Sequence, residues 1–155
     1  MMTRRSVKSF ASVGALFVGL LAGNVAAASS ASADTLRACN GVLKVQTPGG
    51  IYNYYIPYHS SADGGAGAGF NCYVIQGNQG EDVRAIQRSL HWCYGKTGVA
   101  VDGIFGSITF NALKDVQSDL GLVPDGEYGD FTSRKLRWPL YKATTGERVN
   151  LCSSR

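Results

Sequence analysis

From residue 81 to residue 120 apolar side chains recur at helical spacing. Val83, Ile86, Leu90 and Cys93 fall at i, i+3, i+7 and i+10 and form one stripe, which predicts a helix over 81–94. Glu81 and Asp82 suit the positive end of its dipole, and Gly95 is a natural stop. Thr109, Ala112, Leu113, Val116 and Leu120 form a second stripe, opposed by Asn111, Lys114, Asp115, Ser118 and Asp119, and predict a helix over 107–120. Gly121 ends it and Pro124 bars its continuation. A third, short helix is predicted over 132–137, before Trp138-Pro139. Upstream the period changes. Residues 42–46 and 51–56 are rich in β-branched and aromatic side chains and flank the turn cluster Thr47-Pro-Gly-Gly50, which predicts a β-hairpin. Pro57 ends its second strand or marks an edge, residues 60–69 form a small-residue loop, and residues 70–75 suit a third short strand.

Within the helical half one pattern occurs twice. Asp102-Gly-Ile-Phe-Gly-Ser-Ile-Thr109-Phe-Asn-Ala-Leu113 is echoed 23 residues later by Asp125-Gly-Glu-Tyr-Gly-Asp-Phe-Thr132-Ser-Arg-Lys-Leu136. Both copies read Asp-Gly-x-aromatic-Gly-x-x-Thr-x-x-x-Leu. Asp-Gly is a turn signal, because the carboxylate can accept bonds from nearby amides and glycine tolerates positive φ. The aromatic can fold back as a plug, and the Gly that follows precedes a helix start. Each copy therefore reads as turn, plug, helix start.

This arrangement resembles the small peptidoglycan-binding domain appended to bacterial cell-wall hydrolases. The resemblance spans Gly77 to Trp138 and includes Gly77-Asn-Gln-Gly80, the hydrophobic-Gln pair Ile86-Gln87, and the helix exit Leu120-Gly-Leu-Val-Pro-Asp-Gly126. Val116 and Ser133 depart from residues common at those positions. The resemblance implies a groove beside the opening helix and the Asp-Gly loops that receives a glycan strand or stem peptide, with Arg84, Arg88, Tyr94, Phe105 and Tyr128 as ligand-binding candidates. Two readings stand side by side for Phe105 and Tyr128, ligand contact or turn plug. Arg84, Arg88 and His91 share a predicted helix face, which is either solvated or set to pair ligand carboxylates.

The first 33 residues carry Arg4, Arg5 and Lys8, an apolar run over 13–22, and small residues ending Ala31-Ser-Ala33. That is the composition of a secretory signal peptide cleaved before Asp34, with an apolar run too short for a membrane span. Its removal takes three of the 15 basic residues and leaves 12 against 11 acidic ones, so the exported chain is near neutral. Nucleic-acid binding, which wants a concentrated basic face, does not fit. The four cysteines, Cys39, Cys72, Cys93 and Cys152, read as two disulfides in an exported protein, each contributing about 3 kcal/mol. Three pairings are possible. Cys72 with Cys93 and Cys39 with Cys152 is favoured, the first pinning the entry strand to the opening helix and the second tying both tails.

The expected class is therefore mainly α: a three-helix bundle over 77–138, a hairpin-containing extension over 34–76, a disulfide-tied tail over 139–155, and two disulfides. Catalysis finds no footing in the sequence. No pair of carboxylates is singled out for glycoside cleavage, His59 and His91 stand 32 positions apart without a metal-ligand motif, and no nucleophile elbow occurs. In the resembling family, catalysis resides in a separate domain. The expectation is a secreted, cell-wall-associated, non-catalytic peptidoglycan-binding module without cofactor or metal. The alternatives are a hydrolase or its accessory subunit with a site in the 34–75 segment, and a module that binds a secreted protein partner. Tyr52, Tyr54, Tyr55 and Tyr58 crowd the extension, as ordinary packing or as a platform for sugar rings.

Overall fold

A computed structural model describes residues 36–61 and 69–155. The signal-peptide expectation and most of the small-residue loop lie outside the described residues. In chain order the elements are β1 (Arg37–Ala38), β2 (Gly41–Gln46), β3 (Tyr52–Tyr58), β4 (Cys72–Tyr73), α1 (Glu81–Cys93), α2 (Ser107–Asp119), α3 (Asp130–Lys135), β5 (Arg137–Lys142) and β6 (Arg148–Ser154).

The predicted hairpin forms. β2 and β3 pair antiparallel from Gly41 opposite Tyr58 to Gln46 opposite Asn53, around a turn whose Gly49 and Gly50 both have positive φ. Pro57 sits inside β3, opposite Val42, and is tolerated because β5 reaches the other flank of β3 only at Tyr52 and Asn53. α1 and α2 occupy the predicted positions, each of 13 residues.

The mainly α expectation is overturned. Helices of 13, 13 and 6 residues stand beside six strands in two sheets, so the described chain is a mixed α and β structure and not a three-helix bundle. The residues expected to form a tail make a second hairpin, β5–β6, turned at Gly146, where φ is +72°. It joins the first hairpin through β3 and β5 to give a four-stranded antiparallel sheet in the order β2-β3-β5-β6. Pro139 falls opposite Cys152, beside a register shift between Pro139 and Tyr141 that accommodates the missing donor. The predicted third helix starts and ends earlier, at Asp130 and Lys135, because Leu136 already has the extended backbone that leads into β5.

The favoured disulfide pairing is also corrected: Cys39 bonds Cys72, and Cys93 bonds Cys152. The physical reason lies in the strands. β1 runs parallel to β4, with Arg37 opposite Cys72 and Ala38 opposite Tyr73, which brings Cys39 beside Cys72. β6 returns past the end of α1, which carries Cys152 to Cys93.

α1 is the hub. Val83, Ile86 and Leu90 of its stripe are fully buried, together with Ile56, Val74, Leu113, Val116, Leu136 and Trp138 from the surrounding elements. Each such side chain contributes about 1.5–3 kcal/mol as an upper estimate. Ser89 adds a polar tie, its hydroxyl donating to the Arg137 carbonyl at 2.7 Å and holding the start of β5 against the helix.

Candidate functional site

The two Asp-Gly loops are the same machine built twice. In the first, Gln87 of α1 donates through Nε2 to Asp102 Oδ1 at 2.8 Å, the Ile104 carbonyl at 3.0 Å and Thr109 Oγ1 at 3.3 Å, and its Oε1 accepts from the Gly103 N–H at 2.8 Å. In the second, Gln117 of α2 donates to Asp125 Oδ1 at 2.8 Å, the Glu127 carbonyl at 2.9 Å and Thr132 Oγ1 at 3.1 Å, and accepts from the Gly126 N–H at 2.8 Å. Each Asp also accepts from the amide two residues on, Ile104 or Glu127. Those bonds, the Ile104 amide first and Gln87 second, hold the Asp102 carboxyl below the usual carboxylate range. Buried amide groups of this kind demand full satisfaction, and one glutamine supplies it in each loop.

Gly103 and Gly126 adopt φ of +82° and +75°. A Cβ on Gly126 would come 2.4 Å from the Phe110 ring, and one on Gly103 would meet the Arg84 side chain at 2.9 Å and the Gly80 carbonyl at 3.2 Å. The plug reading matches the packing of both aromatics: Phe105 is 1% exposed and Tyr128 fully buried, its ring edge against Trp138. Their rings face the core rather than solvent. The segment between β4 and α1 laces the loops together, with Val74 bridging Tyr128 and Gln79 bridging Ile104.

Two shallow grooves result at equivalent places. The first, about 160 Å³, runs along Asp102, Ile104, Ser107 and Ile108; the second, about 270 Å³, along Asp125, Glu127, Phe131 and Leu36. Ile108 and Phe131 occupy the same position of the repeat, and both are exposed.

A larger cleft of about 430 Å³ opens between α1 and the four-stranded sheet. Glu81, Arg88 and Trp92 line it from α1, Val42 and Tyr55 from the first hairpin, and Tyr141 and Gly146 from the second. Tyr55 and Tyr141 meet edge to face at 5.5 Å, and the Arg148 guanidinium stacks over the Trp92 ring at 4.8 Å. Burial raises the Tyr141 phenol above its ordinary pKa while Arg88 and Arg148 pull it the other way, so at neutral pH it is an uncharged donor.

The structure disperses the residues singled out in the sequence. Arg84 pairs with Glu81 at 2.6 Å and donates to the Asp102 carbonyl at 3.2 Å, at the edge of the first loop. Arg88 enters the sheet-side cleft. His91, expected on the same face, is engaged with the Val99 carbonyl at 2.9 Å. The Tyr94 hydroxyl accepts from the Arg137 N–H at 2.9 Å and so braces the junction of α3 and β5; burial raises its pKa. Of the four crowded tyrosines, Tyr54 is buried and Tyr58 packs on Phe70, and Tyr55 lines the cleft. Tyr141, Trp92 and Arg148 were missed as a group. The alternation of Val149 and Leu151 was the available sign of a strand at the C-terminus. Among the described residues no group of three His, Cys, Asp or Glu side chains is placed to hold a metal ion, and no helix is long and apolar enough to cross a membrane.

Residues 79–136 match the family described as "Putative peptidoglycan binding domain". The chain is 37% identical over 72 residues to an uncharacterised protein from the bpoA1 3′ region of Kitasatospora aureofaciens, an alignment covering 46% of this chain and 61% of that protein. Among solved structures it is similar to the SleB N-terminal domain, at 40% identity over 40% of this chain and 84% of that one with a TM-score of 0.38. It is also similar to a peptidoglycan-binding protein from Clostridioides difficile in complex with glutamine hydroxamate, at 25% identity over 59% of this chain and 53% of that one with a TM-score of 0.41.

Proposed function

We propose that residues 79–136, which match that family, act as a peptidoglycan-binding domain and that the whole chain is an exported, non-catalytic wall-binding protein. The observation that carries this reading is the family match over the segment that contains both glutamine-held loops. Its two disulfides suit an oxidising compartment outside the cytoplasm, as does a cleaved leader over 1–33. The domain spans about 77–138, and the hairpins β2–β3 and β5–β6 supply the sheet against which α1 packs. Arg84 and Arg88 are the accessible cations on α1, with 43% and 27% of their side-chain surfaces exposed, and are suited to stem-peptide or glycan carboxylates. Tyr94 braces the junction of α3 and β5, and Phe105 and Tyr128 pack inside their loops.

The test is co-sedimentation of the oxidised protein with purified insoluble peptidoglycan, run beside a reduced control and an assay for released muropeptides. Binding without release is the expected result. Protein left in the supernatant overturns wall binding, and released fragments overturn the non-catalytic reading.

A further inference from the structure

The cleft between α1 and the sheet lies largely beyond the matched segment. Residues 79–136 contribute Glu81, Arg88 and Trp92, but Val42, Tyr55, Tyr141 and Gly146 come from the two hairpins outside it. The site therefore exists only because both hairpins fold onto α1. Its volume, about 430 Å³, lies within the range of small-ligand pockets.

Its charge is unbalanced. Glu81 pairs with Arg84 at 2.6 Å and stands 3.6 Å from Arg88, so one carboxylate is shared between two guanidinium groups. Arg148, at the rim, makes no ion pair among the described residues and only donates to the neighbouring Val149 carbonyl while stacking on Trp92. Arg148 is the cross-strand partner of Tyr141 and stacks on Trp92, and both of those residues line the cleft with Arg88, so the two cations flank one site. The remaining walls are aromatic faces and edges with phenol hydroxyls at hand.

We propose that this cleft binds a carboxylate carried beside a sugar ring or small apolar group, with Arg88 and Arg148 pairing the carboxylate and Tyr55, Tyr141 and Trp92 packing against the ring or side chain. The assignment of this ligand to the cell wall rests on the wall-binding reading above. Two wall chemistries present such a group: the lactyl carboxylate of muramic acid in glycan without stem peptides, and the free terminal carboxylate of a stem peptide. A planar guanidinium pairs a carboxylate in bidentate fashion, and a tyrosine or tryptophan face covers the apolar side of the ligand. Glu81 competes with the ligand for Arg88 and so limits affinity.

The test uses the disulfide-bonded protein labelled with ¹⁵N, titrated separately with N-acetylmuramic acid, with an N-acetylated peptide ending in D-alanyl-D-alanine, and with uncharged N-acetylglucosamine. Trp92 lines the cleft and Trp138 is fully buried elsewhere in the core, so their indole N–H signals serve as probe and internal control. The expected result is a saturable shift of the Trp92 signal, not the Trp138 signal, with at least one carboxylate ligand and none with the uncharged sugar. The ligand that shifts it identifies the source. Arg88→Gln should weaken that binding by roughly tenfold or more, and Glu81→Gln should strengthen it. If Arg88→Gln fails to fold, Arg148→Gln, at an exposed position, decides in its place with a several-fold loss. A silent Trp92, an equal response to N-acetylglucosamine, or unchanged affinity in the arginine variants overturns the proposal. Wild-type protein that still sediments with peptidoglycan while Trp92 stays silent sinks the cleft and leaves wall binding standing; a responding Trp92 without sedimentation sinks wall binding and leaves the cleft.

Discussion

The Asp-Gly loops and the four-stranded sheet both satisfy polar backbone in a small protein, but at opposite ranges along the chain. Each loop is held by one glutamine from the preceding helix, 15 residues before Asp102 in one case and 8 before Asp125 in the other. The sheet instead pairs Asn53 with Tyr141 and is fastened to α1 by a disulfide that closes a separation of 59 residues. The difference teaches where each region draws its stability: the loops from a local buried network, the sheet from distant covalent and packing ties. The loops should therefore persist when the sheet loosens.

The largest expected effect breaks the distant tie. The double substitution Cys93→Ser with Cys152→Ser should cost about 4 kcal/mol, from the loop length it releases in the unfolded chain. Amide hydrogen exchange should then show β6 losing protection while Gly103 and Gly126, which donate to the glutamines, keep theirs. Equal loss at both places would mean that loops and sheet are one cooperative unit, and the contrast drawn here would fail.

Next come the glutamines themselves. Gln87→Leu and Gln117→Leu should each cost about 3 kcal/mol, because each leaves a glycine N–H and several loop acceptors without their buried partner. The two networks share no residue, so the double variant should be additive to about 0.5 kcal/mol in urea unfolding. A larger discrepancy would show coupling through the 74–80 segment that touches both loops.

Gly126→Ala should cost about 2 kcal/mol, since φ is +75° there and the Phe110 ring must move to admit a Cβ, read as a fall in melting temperature with a displaced Phe110 signal.

The smallest effect separates the two plugs. Tyr128 differs from Phe105 by a hydroxyl that makes no hydrogen bond of good geometry among the described residues; the nearby Ser133 hydroxyl accepts from Arg155 at 2.8 Å. Tyr128→Phe should be neutral or stabilising by up to about 1 kcal/mol. Burial raises the phenol's pKa in the folded state above the ordinary value of 10.0, so the unfolded chain loses this proton first as pH rises. Stability is thus constant with respect to this group below pH 10 and falls above it. The phenylalanine variant should show a shallower alkaline decline in thermal unfolding, and an equally steep decline would assign that limb to other groups.

Much of the loop region was legible because its rules are short-range. The period of Val83, Ile86 and Leu90 located α1, and the Asp-Gly boxes marked both turns and the aromatics that close them. The glutamine that completes each loop was visible only as half of a hydrophobic-Gln pair; its four bonds depend on a helix packing over a turn. On the sheet side the first hairpin was readable from its turn cluster, but Pro139 disguised β5, and nothing near Cys39 or Cys152 named their partners. Arg88 was read from the helix face alone, and its aromatic neighbours Tyr55 and Tyr141 come from two hairpins far apart in the chain.

The sequence by itself determined two helices, the two repeated turns and one hairpin, because each follows from contacts within a couple of dozen residues. Only the tertiary structure decided the four-stranded sheet, the disulfide partners and the arginine-aromatic cleft. Those depend on which distant strands meet across α1, and strand pairing is set by register and shared core packing between segments whose local patterns are equally content with other partners.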